Sequence, residues 1–383
     1  MKLSRVLSAS LLAAALYTPS AFAVEQSAVL DQYGAIVHAN YSDTLAAAKL
    51  MQQAIKSFVA EPSEKSLADA RQAWLAAREF YGQTEAFRFY GGPIDDDKGP
   101  EGRINAWPLD EAYIDYVKGK AKAGIINNKK ATIDRAKLVA LNEKGGEENI
   151  STGWHAIEFL LWGQDLNPNG PGNRAFTDFV DGKQTNADRR RKYLLEVTDQ
   201  LVEDLNGLTQ AWAPGAGTYR TRFSKDSDAL RKMLTGLGVL TRGEMAGERM
   251  EVAMDSQNQE DEQSCFSDNT HRDLVNDAIG IRNVWLGQYK KADGSVLSGP
   301  SLRDLVADKD AALAERVSSD IQASVAAIEA IQAPFDREIV GKKDAPGRKR
   351  VQAGIDALKK QAQGLAEAAK LLGIKNLAMK AKD

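Results

Sequence analysis

A histidine and a glutamate stand three residues apart in "GWHAIEFLLWGQ" (153–164), as His155 and Glu158, and they are its only ionisable side chains. Positions i and i+3 share a helix face, so the imidazole and the carboxylate can aim at one point, with Phe159 and Trp162 continuing that face. Such a pair is half of a metal site, as in di-iron bundles, where Glu-x-x-His pairs meet ligands from facing helices. A lone buried carboxylate prefers its proton, so the apolar setting calls for a partner: a metal ion, an Arg, or the histidine itself. The plainer alternative is a histidine and glutamate that satisfy each other, or a nearby Arg, inside a core. Neither zinc-peptidase signature is complete, because Ala156 follows His155 and Phe159 follows Glu158. The chain has three histidines, so only His38 and His271 remain as distant imidazole ligands. Oxygen-rich coordination with one or two His suits iron at least as well as zinc. No C-x-x-C-H is present, which excludes covalent heme.

Two further clusters carry chemistry-bearing residues. In "EDEQSCFSDNTHRD" (260–273), Asp268 and His271 are candidate ligands, and Ser267, Asp268 or Asn269 caps a helix beginning near His271. Cys265 reads as a small buried hydrophobe. A Ser264, His271 and Asp268 triad lacks the nucleophile elbow that would support it. In "AWLAAREFYGQTEAFRFYGGPIDDD" (73–97), Arg78, Glu85 and Arg88 follow helical spacings. Glu85 and Arg88 form an ion pair of a kind common on surfaces, where it contributes little. Arg88 lies between Phe87 and Phe89, which suggests a partly buried guanidinium able to hold Glu158 or an anionic ligand. In "NAWPLDEAYIDY" (105–116), Trp107, Pro108 and Asp110 mark a helix entry.

The elements that must position these residues are helices. Val351, Ile355, Leu358, Ala362, Leu365, Ala369 and Leu372 alternate steps of four and three, the stripe of a bundle helix, and Leu45, Ala48, Met51, Ile55 and Phe58 do the same. Further helices are predicted at about 64–87, 152–163, 188–211, 226–256, 269–288, 301–333 and 345–372, and no segment alternates as a strand. Long loops at 90–116 and 255–273 are candidates for function. Pro214, Gly215 and Gly217 punctuate residues 212–228, which places a boundary between two domains, 24–215 and 216–383. The predicted fold is all-α, two helical-bundle domains, the first carrying the Gly153-x-His155-x-x-Glu158 motif.

Residues 1–23 read as a signal peptide: Lys2 and Arg5, an apolar run from Val6 to Leu16, then "AFA" with cleavage after Ala23. The expected address is the periplasm, with peripheral outer-membrane association as a further option. No later stretch approaches the roughly 18 apolar residues of a membrane span. A net charge of -3 with interspersed signs gives no basic face, which disfavours nucleic acid as a partner. The single cysteine allows no intramolecular disulfide, so stability must come from packing.

Taken together, "TGWHAIEFLLWGQD", "GQTEAFRFYGGPID", "INAWPLDEAYIDY", "GLGVLTRGEMAGERM" and "QEDEQSCFSDNTHRD" resemble the imelysin family of iron-regulated, peptidase-assigned proteins, in order across almost the whole mature chain. The resemblance implies an exported all-α protein linked to iron acquisition, with His155 and Glu158 in the family's motif. It places Gly153 in the same motif and Glu85, Arg88, Asp95, Trp107, Asp110, Ser264, Asp268 and His271 in its other characteristic blocks. Gln263 departs from it, standing where the family often has a His, which weakens schemes needing several imidazoles. The expected ligands are a metal ion, iron ahead of zinc, held by His155, Glu158, Asp268 and His271, or a small anionic ligand. Glu85 and Arg88 would form a supporting shell. The rival expectations are a metallopeptidase with Glu158 as ligand or base, and a docking protein for a membrane iron-uptake or redox system.

Overall fold

The computed structural model describes residues 23–380, so the expected signal segment, apart from Ala23, lies outside the described residues. The first helix, Gln26–Ala60, packs against Glu64–Tyr81 and Ala187–Ala211. It begins well before the predicted stripe, because Val29, Leu30, Tyr33, Ile36 and Val37 extend the buried face by more than three turns. The second helix starts at Ser63, whose hydroxyl and that of Ser66 each accept from the other's backbone N–H, satisfying two of the free amides at a helix start.

The helix predicted over 64–87 is α-helical only to Tyr81 and tightens into a 3₁₀ turn over Gly82–Phe87. That turn lies directly on the Thr270–Leu286 helix. A Cβ on Gly82 would fall 2.7 Å from Asn276 Cβ, and one on Gly280 would fall 2.4 Å from the Gln83 carbonyl.

In the second half, one continuous helical segment runs from Ala229 to Ser256, with Leu240–Glu251 wound as a π-helix. Such stretches recur at functional sites. The Ala311–Glu329 and Pro346–Leu371 helices pack on each other through the stripes read from the sequence. The helix expected over 301–333 is broken after Leu302–Ala307, where Asp310 accepts from the Leu313 amide at 2.9 Å and starts a new helix. One antiparallel hairpin, Gln288–Lys290 with Val296–Ser298, was not expected. Its turn uses Asp293 and Gly294, and its strands are three residues each, too short to register as strand alternation.

Residues 213–218 form a surface turn, where the sequence placed the boundary between halves. The aromatic residues beside it nevertheless meet Tyr33 of the first helix, with ring centroids 5.7 Å away for Trp212 and 5.2 Å for Phe223. The buried core therefore continues from one half into the other. No helix among the described residues is long and apolar enough to cross a membrane.

Candidate functional site

All ten residues of the Gly153–Trp162 helix are buried. Its start requires glycine: Gly153 has φ +86°, and a Cβ there would sit 2.5 Å from the Ile104 carbonyl oxygen. Trp74 Nε1 donates to the Trp154 carbonyl at 3.1 Å. At the other end Arg71 donates to the Leu161 carbonyl from Nε at 3.0 Å and Nη2 at 2.8 Å, placing a cation where the helix dipole is negative.

Held this way, His155 Nδ1 lies 2.8 Å from Glu158 Oε2. Glu158 Oε1 accepts from the Ser267 amide at 2.9 Å and the Ser267 hydroxyl at 2.7 Å. Both carboxylate oxygens are thus occupied, so Glu158 orients the ring instead of aiming beside it. With Glu158 ionised, Nδ1–H donates to it and the Nε2 lone pair is free. Nε2 is buried and has no hydrogen-bond partner among the described residues. Burial, reinforced by the Arg78 charge, pushes His155 down to about 3, so the imidazole is neutral. Burial pushes Glu158 up to about 7 against the Ser267 hydrogen bond and the Arg78 charge.

Around the pair lies a buried charge network joining the two halves of the chain. Arg78 Nε donates to Asp273 Oδ1 at 3.0 Å and Nη1 to Asn105 Oδ1 at 2.6 Å. The guanidinium carbon stands 5.6, 5.1 and 5.8 Å from the ring centroids of Trp74, Tyr81 and Trp154. Ser264 Oγ donates to Asp273 Oδ2 at 2.5 Å. Arg249, on the π-helical stretch, donates to Glu85 Oε2 and Asp277 Oδ2, both at 2.6 Å, and to Gln263 Oε1 at 3.2 Å. Arg88 bridges Glu85 at 2.7 Å and Glu101 at 2.9 Å. Burial alone would raise Glu85, but the guanidinium groups of Arg88 and Arg249 override it and bring Glu85 down to about 2. Burial and the Glu85 charge outweigh Arg249 at Asp277, which is pushed up.

Several buried atoms of this network have no partner among the described residues: Glu85 Oε1, Asn105 Nδ2, Arg249 Nε, Gln263 Nε2 and Asp277 Oδ1. Beside it opens a cleft of about 420 Å³, lined from both halves of the chain, with Arg88, Glu101, Asn105 and Trp107 on one side and Glu244 and Glu248 on the other.

The structure brings together His155, Glu158, Glu85, Arg88 and Ser264, with Trp107 in the adjoining cleft wall. The Glu85–Arg88 pair is largely buried, in the manner that Phe87 and Phe89 beside Arg88 suggested and unlike the surface pairs its spacing resembles. Asp95 supports the loop that follows Arg88, accepting from the Phe89 amide and from the Gly92 amide at 2.8 Å. Asp110 caps a short helix, Glu111–Ile114, through the Ala112 amide at 2.9 Å. Asp268 and His271 line a separate shallow cavity beside Glu79 and Arg272, and His271 Nδ1 lies 3.1 Å from the Asp268 carbonyl. Among the described residues, no group of three or more His, Cys, Asp or Glu side chains is arranged to hold a metal ion. A resident catalytic zinc, which takes three protein ligands, does not fit this donor set. Arg249, Asp273, Asp277 and Asn105 escaped the sequence reading. A signal for Arg249 existed: it interrupts the stripe Met245, Ala246, Met250 and Ala253 that is otherwise apolar and buried.

A buried, carboxylate-oriented histidine inside an all-helical core defines a class before it defines a protein. The imelysin family model, peptidase family M75, matches residues 37–365, and the chain belongs to that family. It is 24% identical over 335 residues to "Iron-regulated protein A" of Synechococcus elongatus, covering 84% of this chain and 80% of that relative. The fold matches the crystal structure of a protein described as an iron-regulated protein A precursor from Parabacteroides distasonis. That match has a TM-score of 0.72 at 20% identity and covers 92% of this chain and 97% of the other.

Proposed function

We propose that the protein acts in iron acquisition in the periplasm, receiving iron as cargo, inside a complex that brings most of its own ligands, at the junction of the two halves. The observation that carries this reading is His155 Nε2, a buried nitrogen with a free lone pair whose ring is fixed by Glu158 and Ser267. An iron complex with one open position needs a single imidazole from the protein, and the chain supplies one. The carboxylates of the adjoining cleft favour a cationic or neutral complex over an anionic one. Asn105 links cleft and centre, since it lines the former and accepts from Arg78, whose charge acts on His155.

Anaerobic titration of the mature protein with Fe(II) and with chelated Fe(III), beside His155→Ala, tests the assignment. Stoichiometric binding lost in the variant supports it; equal affinity in both proteins removes His155 from the site. Any proton on the pair beyond the first occupies Nε2 or turns it into a donor, so binding should strengthen about tenfold per pH unit up to about 7 and then level off. Chelator-sensitive cleavage of an unfolded polypeptide would instead favour the peptidase reading.

A further inference from the structure

The cleft beside the buried centre carries more carboxylates, spread over a longer wall, than one cationic iron complex would meet. Glu143, Glu147, Glu248 and Asp261 line it, and none makes an ion pair among the described residues. Their like charges act on one another: Glu143 is pushed up by burial and then by Glu147. They also do not converge as a metal cage does, since no set of three suitable side chains meets among the described residues. Carboxylates spread along a wall match a chain of separated cations better than one point charge.

Two further features set the kind of chain. Trp107, partly exposed in the wall, offers an aromatic face to an ammonium or guanidinium group, and exposed Val252 offers an apolar contact to its methylene stem. At the floor, Asn105 is only 2% exposed. Its Oδ1 is taken by Arg78, which leaves Nδ2, without a partner, as the end free for the cleft. Arg88 Nε beside it is also buried and unpartnered. These are hydrogen-bond donors, and they ask for an oxygen acceptor. Arg88 already has Glu85 and Glu101 around it, so a neutral carbonyl suits the floor better than a further carboxylate. A free polyamine has cations and no acceptor; an extended basic peptide has both.

We propose that this cleft is a docking groove for a lysine- or arginine-rich segment of a partner polypeptide, with its carbonyls on Asn105 and Arg88 and its basic side chains against Glu143, Glu147, Glu248 and Asp261. The test is fluorescence anisotropy of a labelled Lys/Arg-rich peptide against the full mature chain. Expected results are saturable binding that weakens with salt, loss of binding when the lysines are acetylated, and affinity lowered about fivefold or more in Glu147→Gln/Glu248→Gln. Trp107→Ala should weaken binding about two- to fivefold. Both glutamates are exposed, so thermal melting should be unchanged in the double variant. Absence of binding, equal affinity in wild type and double variant, or displacement by spermidine at matched charge would each overturn the proposal. His155→Ala should keep full peptide affinity, which separates this groove from the iron assignment.

Discussion

Two buried charge clusters of similar composition lie in this molecule, and they differ in how completely they are satisfied. In the first, Asp115 accepts from Arg190 at 2.6 and 3.0 Å, from Arg174 at 2.8 Å and from Asn127 at 3.1 Å. Arg190 goes on to the Asp178 carbonyl at 2.7 Å, and Tyr116 donates to Asp178 Oδ2 at 2.5 Å. Arg174 Nε is the atom left over. In the second cluster, around His155, seven atoms are left without a partner among the described residues: His155 Nε2, Glu85 Oε1, Arg88 Nε, Asn105 Nδ2, Arg249 Nε, Gln263 Nε2 and Asp277 Oδ1. Unpaired buried polar atoms cost stability, so a network that keeps them is shaped for something besides folding. The closed cluster pins the loops beneath the first half; the open one faces a cleft.

The contrast can be broken most forcefully at Asp115. Replacing it by Ala leaves the buried Arg190 guanidinium without a carboxylate and Arg174 with Asp178 alone, and urea unfolding should show a loss of about 3–5 kcal/mol, with the ligand affinity of the folded protein unchanged. At the open centre, Ser267→Ala removes the hydroxyl that donates to Glu158 while the backbone amide keeps donating, and should cost about 1 kcal/mol. The hydroxyl holds the Glu158 carboxyl down against burial, so its loss should move the pH midpoint of ligand binding upward from about 7. At the small end, Asp69→Ala breaks only the exposed Lys65–Asp69 pair, and the same urea assay should register under about 0.5 kcal/mol. If Asp115→Ala instead altered ligand affinity, the two clusters would not divide into support and site as described.

The sequence made the helices legible because their stripes are local: Leu358, Ala362 and Leu365 need no knowledge of the rest of the chain. His155 and Glu158 were legible for the same reason, being polar groups conspicuous in an apolar helix. The split of roles between them was not, because it depends on Ser267, which lies 109 residues away. Arg249 and Glu85 are 164 residues apart, and their pairing is a property of the assembled core alone. The buried Glu85–Arg88 pair shows the same limit, since spacing gives the contact but not the depth at which it lies. The broken helix near Asp310 and the hairpin at 288–298 turn on single capping and turn residues, which a periodicity reading averages away.

The ion pairs that tie Arg78 to Asp273 and Glu85 to Arg249 also set an order of events as the chain is made. Residues 78 and 85 leave the ribosome long before 249 and 273, so the first half must wait with Arg78 lacking its carboxylate and Glu85 holding Arg88 alone. The ligand-facing centre is therefore completed late, when the second half arrives. A truncated chain that keeps the whole His155 helix would have the motif and still lack the site.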